Sequence, residues 1–260
     1  MDGLVLIHLM GHPPVSLKAH TLASWAYWPL EVVQGIAWSY TYAALIRRGA
    51  LDKYLGMPLI AMVLNLAWEF TYAFVLPTPP AQKAVNVVWV ALDVIILYQA
   101  LKYGRKDYSW VPARVFPWVV AALLGYATVF HILLGREFAD YYGIYGAQGI
   151  NVYMSGAYIG LLRSRGSSAG QSMHVAVAKC AGTFSVTLMF LAMFPGRWLL
   201  LFFGLTVFVL DLGYCTLLYR RIKAEGANPW TGSWRRPAGT TADLPEAALQ
   251  GTDLTKSAAG

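Results

Sequence analysis

Charge is what this chain has least of. Only 13% of its 260 residues are Asp, Glu, Lys or Arg, about half the share of a soluble domain. Cysteine is nearly absent: Cys180 and Cys215 both lie in apolar stretches, so free, buried thiols are expected and no zinc spacing occurs. There is no acid-rich motif such as DDxxD or DxDD. Metal-assisted ionisation of a prenyl diphosphate therefore has no ligand set. The last apolar segment, near 197–219, has no lysine to carry a retinal Schiff base. No nucleophile elbow, HExxH pair or P-loop appears. The apolar run from Leu4 to Met10 lacks a basic flank and a small-residue cleavage site, so it does not read as a signal peptide.

What is present is hydrocarbon. The chain is 57% hydrophobic with a mean hydropathy of +0.48, the composition of a polytopic, all-α membrane protein with room for one bundle. Hydropathy places seven helices near 28–47, 57–76, 85–103, 114–134, 144–162, 174–194 and 197–219. Each is long enough for ~30 Å of hydrocarbon at about 1.5 Å per residue. Pro29, Pro58 and Pro117 fall in expected first turns. The first segment, with Glu31 and Gln34, and the sixth, with Lys179, are the least apolar. Basic residues follow the odd-numbered helices: Arg47 and Arg48, Lys102 to Lys106, Arg163 and Arg165, Arg220 and Arg221. That alternation predicts an outside N-terminus and a cytoplasmic C-terminus. It also makes the net charge of +7 a topology signal, not a nucleic-acid footprint. The expected organisation is an interfacial segment at 1–27, the bundle at 28–223 and a disordered cytoplasmic tail at 224–260.

Three lone carboxylates interrupt the apolar segments: Glu69, Asp93 and Asp211. A charge at the bilayer centre costs roughly 2.5–3.5 kcal/mol on insertion scales, so such residues mark functional sites by default. Counted from the cytoplasmic helix ends, Glu69 stands about 18 Å up, Asp93 about 15 Å, Asp211 about 12 Å and Asn151 about 16 Å. One depth suggests one cavity. Asn65 and Tyr72 share a helix face with Glu69, and a structural hydrogen bond to either is the alternative to an acid role. Asp211 has Tyr214 and Cys215 one turn on; Asp93 has Trp89 one turn back and reads equally well as a polar-network member. Glu31 and His131, near outer helix ends, are expected in water. Gln148 is expected to bridge helices, Gly156 and Gly160 to form a packing seam, and Glu137 and Asp140 to be a solvated loop pair.

Isolated acids among aromatic rings suit proton-initiated chemistry on an apolar substrate. An acid protonates an epoxide or alkene, and ring faces stabilise the resulting cation while water is kept out. Trp68, Tyr72, Trp89 and Tyr214 are the rings at the right depth. No metal or cofactor is called for; the expected partners are lipid and a small molecule. A proton-coupled transporter using the same midplane carboxylates is the alternative, although no internal repeat is visible.

At these residues the chain resembles the small integral-membrane terpene cyclases of fungal meroterpenoid and indole-diterpene pathways and of bacterial indole-sesquiterpenoid pathways. The resemblance is carried by NLAWEFTY from Asn65 to Tyr72, by Leu92 and Asp93, and by KYG from Lys102 to Gly104. It continues in RGSSAGQS from Arg165 to Ser172, DLGY from Asp211 to Tyr214, and Tyr219 with Arg220. It covers most of residues 25–223. It implies seven helices and cyclisation, without metal, of a prenyl chain attached to an aromatic, polyketide or indole core. It further implies Glu69 and Asp211 as the essential acids, and a bacterial cytoplasmic or fungal endoplasmic reticulum membrane as the location.

Overall fold

The structure is a computed structural model and describes residues 24–231. Among them are seven α-helices and no strand. These are α1 (Ser24–Asp52), α2 (Leu59–Phe70), α3 (Pro80–Tyr103), α4 (Phe116–Glu137), α5 (Ile144–Arg165), α6 (Met173–Met193) and α7 (Trp198–Ala224). The count and order agree with the hydropathy reading. Most of the interfacial segment at 1–27 and of the tail at 224–260 lies outside the described residues.

Four helices, α3, α4, α6 and α7, are long and apolar enough to cross a membrane by length and composition. The other three are polar or short for physical reasons. α1 carries Glu31 and Gln34, and α5 carries Gln148, Asn151 and Ser155. α2 is short, but it continues through one π-helical turn, Thr71–Val75. α1 begins before the expected boundary and runs past Arg48, which pairs with Asp52 at 2.8 Å. Pro29 is therefore inside α1, not in its first turn. Pro58 caps α2, and Pro117 lies in the first turn of α4. Cys180 and Cys215 are free but only half-buried.

The ends of the helices are tied at one pole of the bundle. Arg165, at the end of α5, donates to Leu55 O (2.8 Å), Ala169 O (2.7 Å) and both carboxylate oxygens of Asp107 (2.8 and 2.6 Å). Gly170 N–H donates to Asp52 at 2.7 Å. Ser168 donates through its N–H and its hydroxyl to Glu225, just past α7. The loops after α1, α3 and α5 and the end of α7 thus gather on one face. Gly170 makes this possible: its φ is +74°, and a Cβ would stand 2.8 Å from Arg165 Nη1 and 3.0 Å from Leu55 O. Here the RGSSAGQS stretch has a mechanical reason to be what it is.

Helix approach is set elsewhere than expected. A Cβ on Gly156 or Gly160 would meet no atom, so these two form no tight seam. The close approaches are at Gly182, where a Cβ would stand 2.8 Å from Trp38 Cδ1, and at Gly204, where a Cβ would overlap Thr187 Cγ2. These bring α6 against α1 and α7 against α6. Gln148 does bridge helices, donating to Thr187 at 3.1 Å.

Candidate active site

Glu69 sits one residue before the end of α2, where the helix widens into its π turn. Such turns often mark functional sites. Its side chain is 1% exposed. Oε1 accepts from the Tyr42 hydroxyl and from Asn65 Nδ2 at 2.9 Å. The same Asn65 amide stands 2.6 Å from Tyr42 Oη and 3.0 Å from Asp93 Oδ2. An amide has two hydrogens, so it serves two of these three acceptors at a time. Oε2 of Glu69 and Oδ1 of Asp93 accept from no protein N–H or O–H, and the two carboxyls lie within hydrogen-bond reach of each other. One amide therefore joins two fully buried carboxyls from α2 and α3, and a phenol from α1 orients the first.

Glu69 lines a small cavity of about 60 Å3, with Trp38, Tyr42, Trp68, Trp89, Asn65 and Asn151 among its walls. The rings are fixed by their own hydrogen bonds. Trp68 Nε1 donates to Gly143 O at 3.0 Å, and Trp89 Nε1 donates to Ser39 Oγ at 3.2 Å. Tyr42 lies 6.1 Å from Trp89 and 6.2 Å from Trp38, centre to centre. Asn151 donates to Ala147 O at 3.0 Å, and its Oδ1 is unpartnered.

The structure brings together Glu69, Asn65, Asp93, Asn151, Trp68 and Trp89. It does not bring Asp211 to this cavity. Asp211 accepts from Lys179 Nζ at 2.7 and 3.0 Å, and Lys179 also donates to Ser155 Oγ at 2.8 Å, one helical turn from Asn151 of the cavity wall. α7 packs chiefly on α5 and α6, and Asp211 is not among the residues lining the cavity. Two of the expected rings also lie outside the walls. Tyr72 packs behind Trp68 at 5.0 Å; Tyr214 packs on Tyr158 at 5.0 Å and donates to Gln171 at 2.9 Å. Trp38 and Tyr42 were the omissions. Their signal was their i, i+4 spacing on α1, a stripe that a buried helix in a membrane would point inward.

Two polar residues expected in water are buried. His131 is 0% exposed; it sits a turn and a half inside α4 and is covered by α2 and α5. Asp140 is 0% exposed and accepts from the backbone N–H of Ile144 (3.0 Å) and Tyr145 (2.9 Å), capping α5. Burial pushes its carboxyl above the usual carboxylate range, against the lowering effect of those N–H groups. Glu137 alone of that pair is exposed. Among the described residues, no three His, Cys, Asp or Glu side chains converge as metal ligands.

The profile of the Pyr4-like transmembrane terpene cyclases matches residues 13–224. Terpene cyclase pyr4 of Aspergillus fumigatus is 28% identical over 242 residues, which cover 86% of this chain and 96% of that protein. Asnovolin H synthase nvfL of Aspergillus novofumigatus is 27% identical over 207 residues, 74% and 85% of the two chains. Terpene cyclase esdpB of Penicillium shearii is 27% identical over 217 residues, 77% and 87%. No solved structure matches the chain.

Proposed function

This chain belongs to the Pyr4-like transmembrane terpene cyclases, and we propose that it cyclises by protonation, without a metal, with Glu69 as the acid. It is an integral membrane enzyme of terpenoid cyclisation; the substrate proposed is a prenyl chain on an aromatic, polyketide or indole core. Seven spans, an outside N-terminus and a cytoplasmic C-terminus are part of the same proposal. The gathering of the loops after α1, α3 and α5 at one pole supports it. A transporter is not favoured, since the relatives are named as cyclases and a synthase.

The observation that carries this reading is the asymmetry of the Glu69 carboxyl. Oε1 is committed as an acceptor to Tyr42 and Asn65, so the proton of the acid form sits on Oε2 or is shared with the Asp93 carboxyl beside it. Oε2 accepts from no protein N–H or O–H, the Asp93 carboxyl lies within hydrogen-bond reach of Glu69, and Glu69 lines a cavity walled by three tryptophans. An epoxide oxygen or alkene carbon placed there takes the proton; the C–O bond opens or the π bond is consumed, and a carbocation remains. Indole faces stabilise the charge by roughly 0.5–2 kcal/mol each. The carboxylate left on Glu69 is the nearest base for the closing deprotonation. The net change is then an isomerisation, and no proton is consumed.

Detergent-solubilised wild type is incubated with prenylated phenols, epoxidised and not, without added metal. An isomer of unchanged mass and altered retention is expected. No conversion of any precursor by folded protein would remove the reading.

A further inference from the structure

The cavity at Glu69 has room for water-sized groups, whereas sites for small organic ligands span roughly 300–1,000 Å3. Beside it lies an apolar groove of about 680 Å3. The groove is walled by Phe130, His131 and Leu134 of α4, Gly149 and Ile150 of α5, and Phe203 of α7. It opens between exposed apolar side chains: Phe130 is 44% exposed and Phe203 is half-buried, surfaces that face lipid in a membrane.

Groove and cavity share a wall. Ile150 lines both. At Gly146 a Cβ would stand 3.1 Å from Trp68 Cδ1 on the cavity side and 3.5 Å from His131 Nδ1 on the groove side. The partition is therefore one side chain thick, built on a residue with no side chain of its own. His131 is fully buried there, with the Leu64 backbone as its hydrogen-bonding neighbour and no side-chain partner on either ring nitrogen. With the Tyr126, Tyr145 and Tyr153 rings that also line the groove, it makes a largely apolar wall with a few polar groups, the make-up of a ligand site rather than of lipid contact alone.

We propose that this groove binds the prenyl chain of the substrate. The chain arrives laterally from the bilayer and passes its reactive end between Trp68 and Ile150 to Glu69. The inference rests on the cyclase reading. A substrate dissolved in lipid reaches the acid without crossing water, and the groove supplies the volume that the cavity lacks.

Gly149 gives the test. A Cβ there meets no atom, so Gly149→Leu fills the groove without a clash in the helix. Gly156→Leu is the control: its Cβ is equally free, on the same helix. With a precursor that wild type converts, Gly149→Leu is expected to raise KM by roughly ten- to two-hundredfold, the scale on which an apolar pocket discriminates by size. Gly156→Leu should leave KM unchanged. A prenylated phenol carrying a diazirine in its chain should label α4 or α5 within the groove. Wild type that makes product while Gly149→Leu keeps the same KM, or a probe that labels elsewhere and leaves the groove to phospholipid, overturns the groove and spares the cyclase. Wild type that makes no product sinks the cyclase first.

Discussion

Lys179 Nζ stands 2.7 Å from one carboxylate oxygen of Asp211 and 3.0 Å from the other, and the two side chains are 1% and 2% exposed. Ser155 takes a further Nζ hydrogen at 2.8 Å. The lysine that makes α6 look unsuited to a membrane is thus neutralised by the aspartate that interrupts α7. Removing one partner of a buried pair costs about 3–5 kcal/mol, because an unpaired charge is left behind; removing both is often neutral.

Asp211→Asn should therefore lose folded protein and product together. The double variant Lys179→Met with Asp211→Leu should recover most of both, read as monodisperse protein in detergent and turnover per folded molecule. A double variant that folds well and makes no product would place Asp211 in the chemistry itself, as the family resemblance implies.

Glu69→Gln keeps the shape and removes the acidic proton. Turnover should fall at least about a hundredfold, the lower range for general acid catalysis, with unfolding temperature changed little. Near-normal turnover by the purified variant would take Glu69 out of the mechanism.

Tyr42→Phe removes the hydroxyl that holds Glu69 Oε1 and accepts from Asn65 at 2.6 Å. The stability cost is expected near 1 kcal/mol, the usual net worth of one hydrogen bond. Turnover should fall more than that figure implies, because Asn65 alone is then left to hold Oε1 and orient the carboxyl. Equal turnover with lowered stability would make Tyr42 a scaffold only.

The sequence made some of this legible and hid the rest. Glu69, Asp93 and Asn65 could be picked out because a polar atom in an apolar run has no reason to be there without a partner. What linear position does not carry is azimuth. Glu69 and Asp211 lie at similar heights, yet Asp211 pairs with Lys179 and is not among the residues that line the cavity. Tyr72 and Trp68 lie four residues apart on one face, yet only Trp68 reaches the cavity, since the π turn carries Tyr72 behind it. Lys179 makes its segment one of the least apolar for the same reason: its partner is 32 residues away, on another helix.

The pole built on Arg165 offers a test of architecture that does not depend on activity. Its guanidinium makes four hydrogen bonds that join the loops after α1, α3 and α5, and its side chain is 4% exposed. Lysine has a single point of charge and cannot span a carboxylate and two carbonyls in one plane. Arg165→Lys should thus lower the unfolding temperature in detergent, and Arg165→Ala should lower it further, with a cost near 3–5 kcal/mol for a buried, partnered charge left open at Asp107. Reporters fused in the loops near 54, 108 and 168 should all report one side of the membrane. Those near 78, 140 and 196 should report the other. If 108 reports opposite to 54, the helices do not alternate as the hydrogen bonds at this pole require, and the seven-span arrangement fails with them.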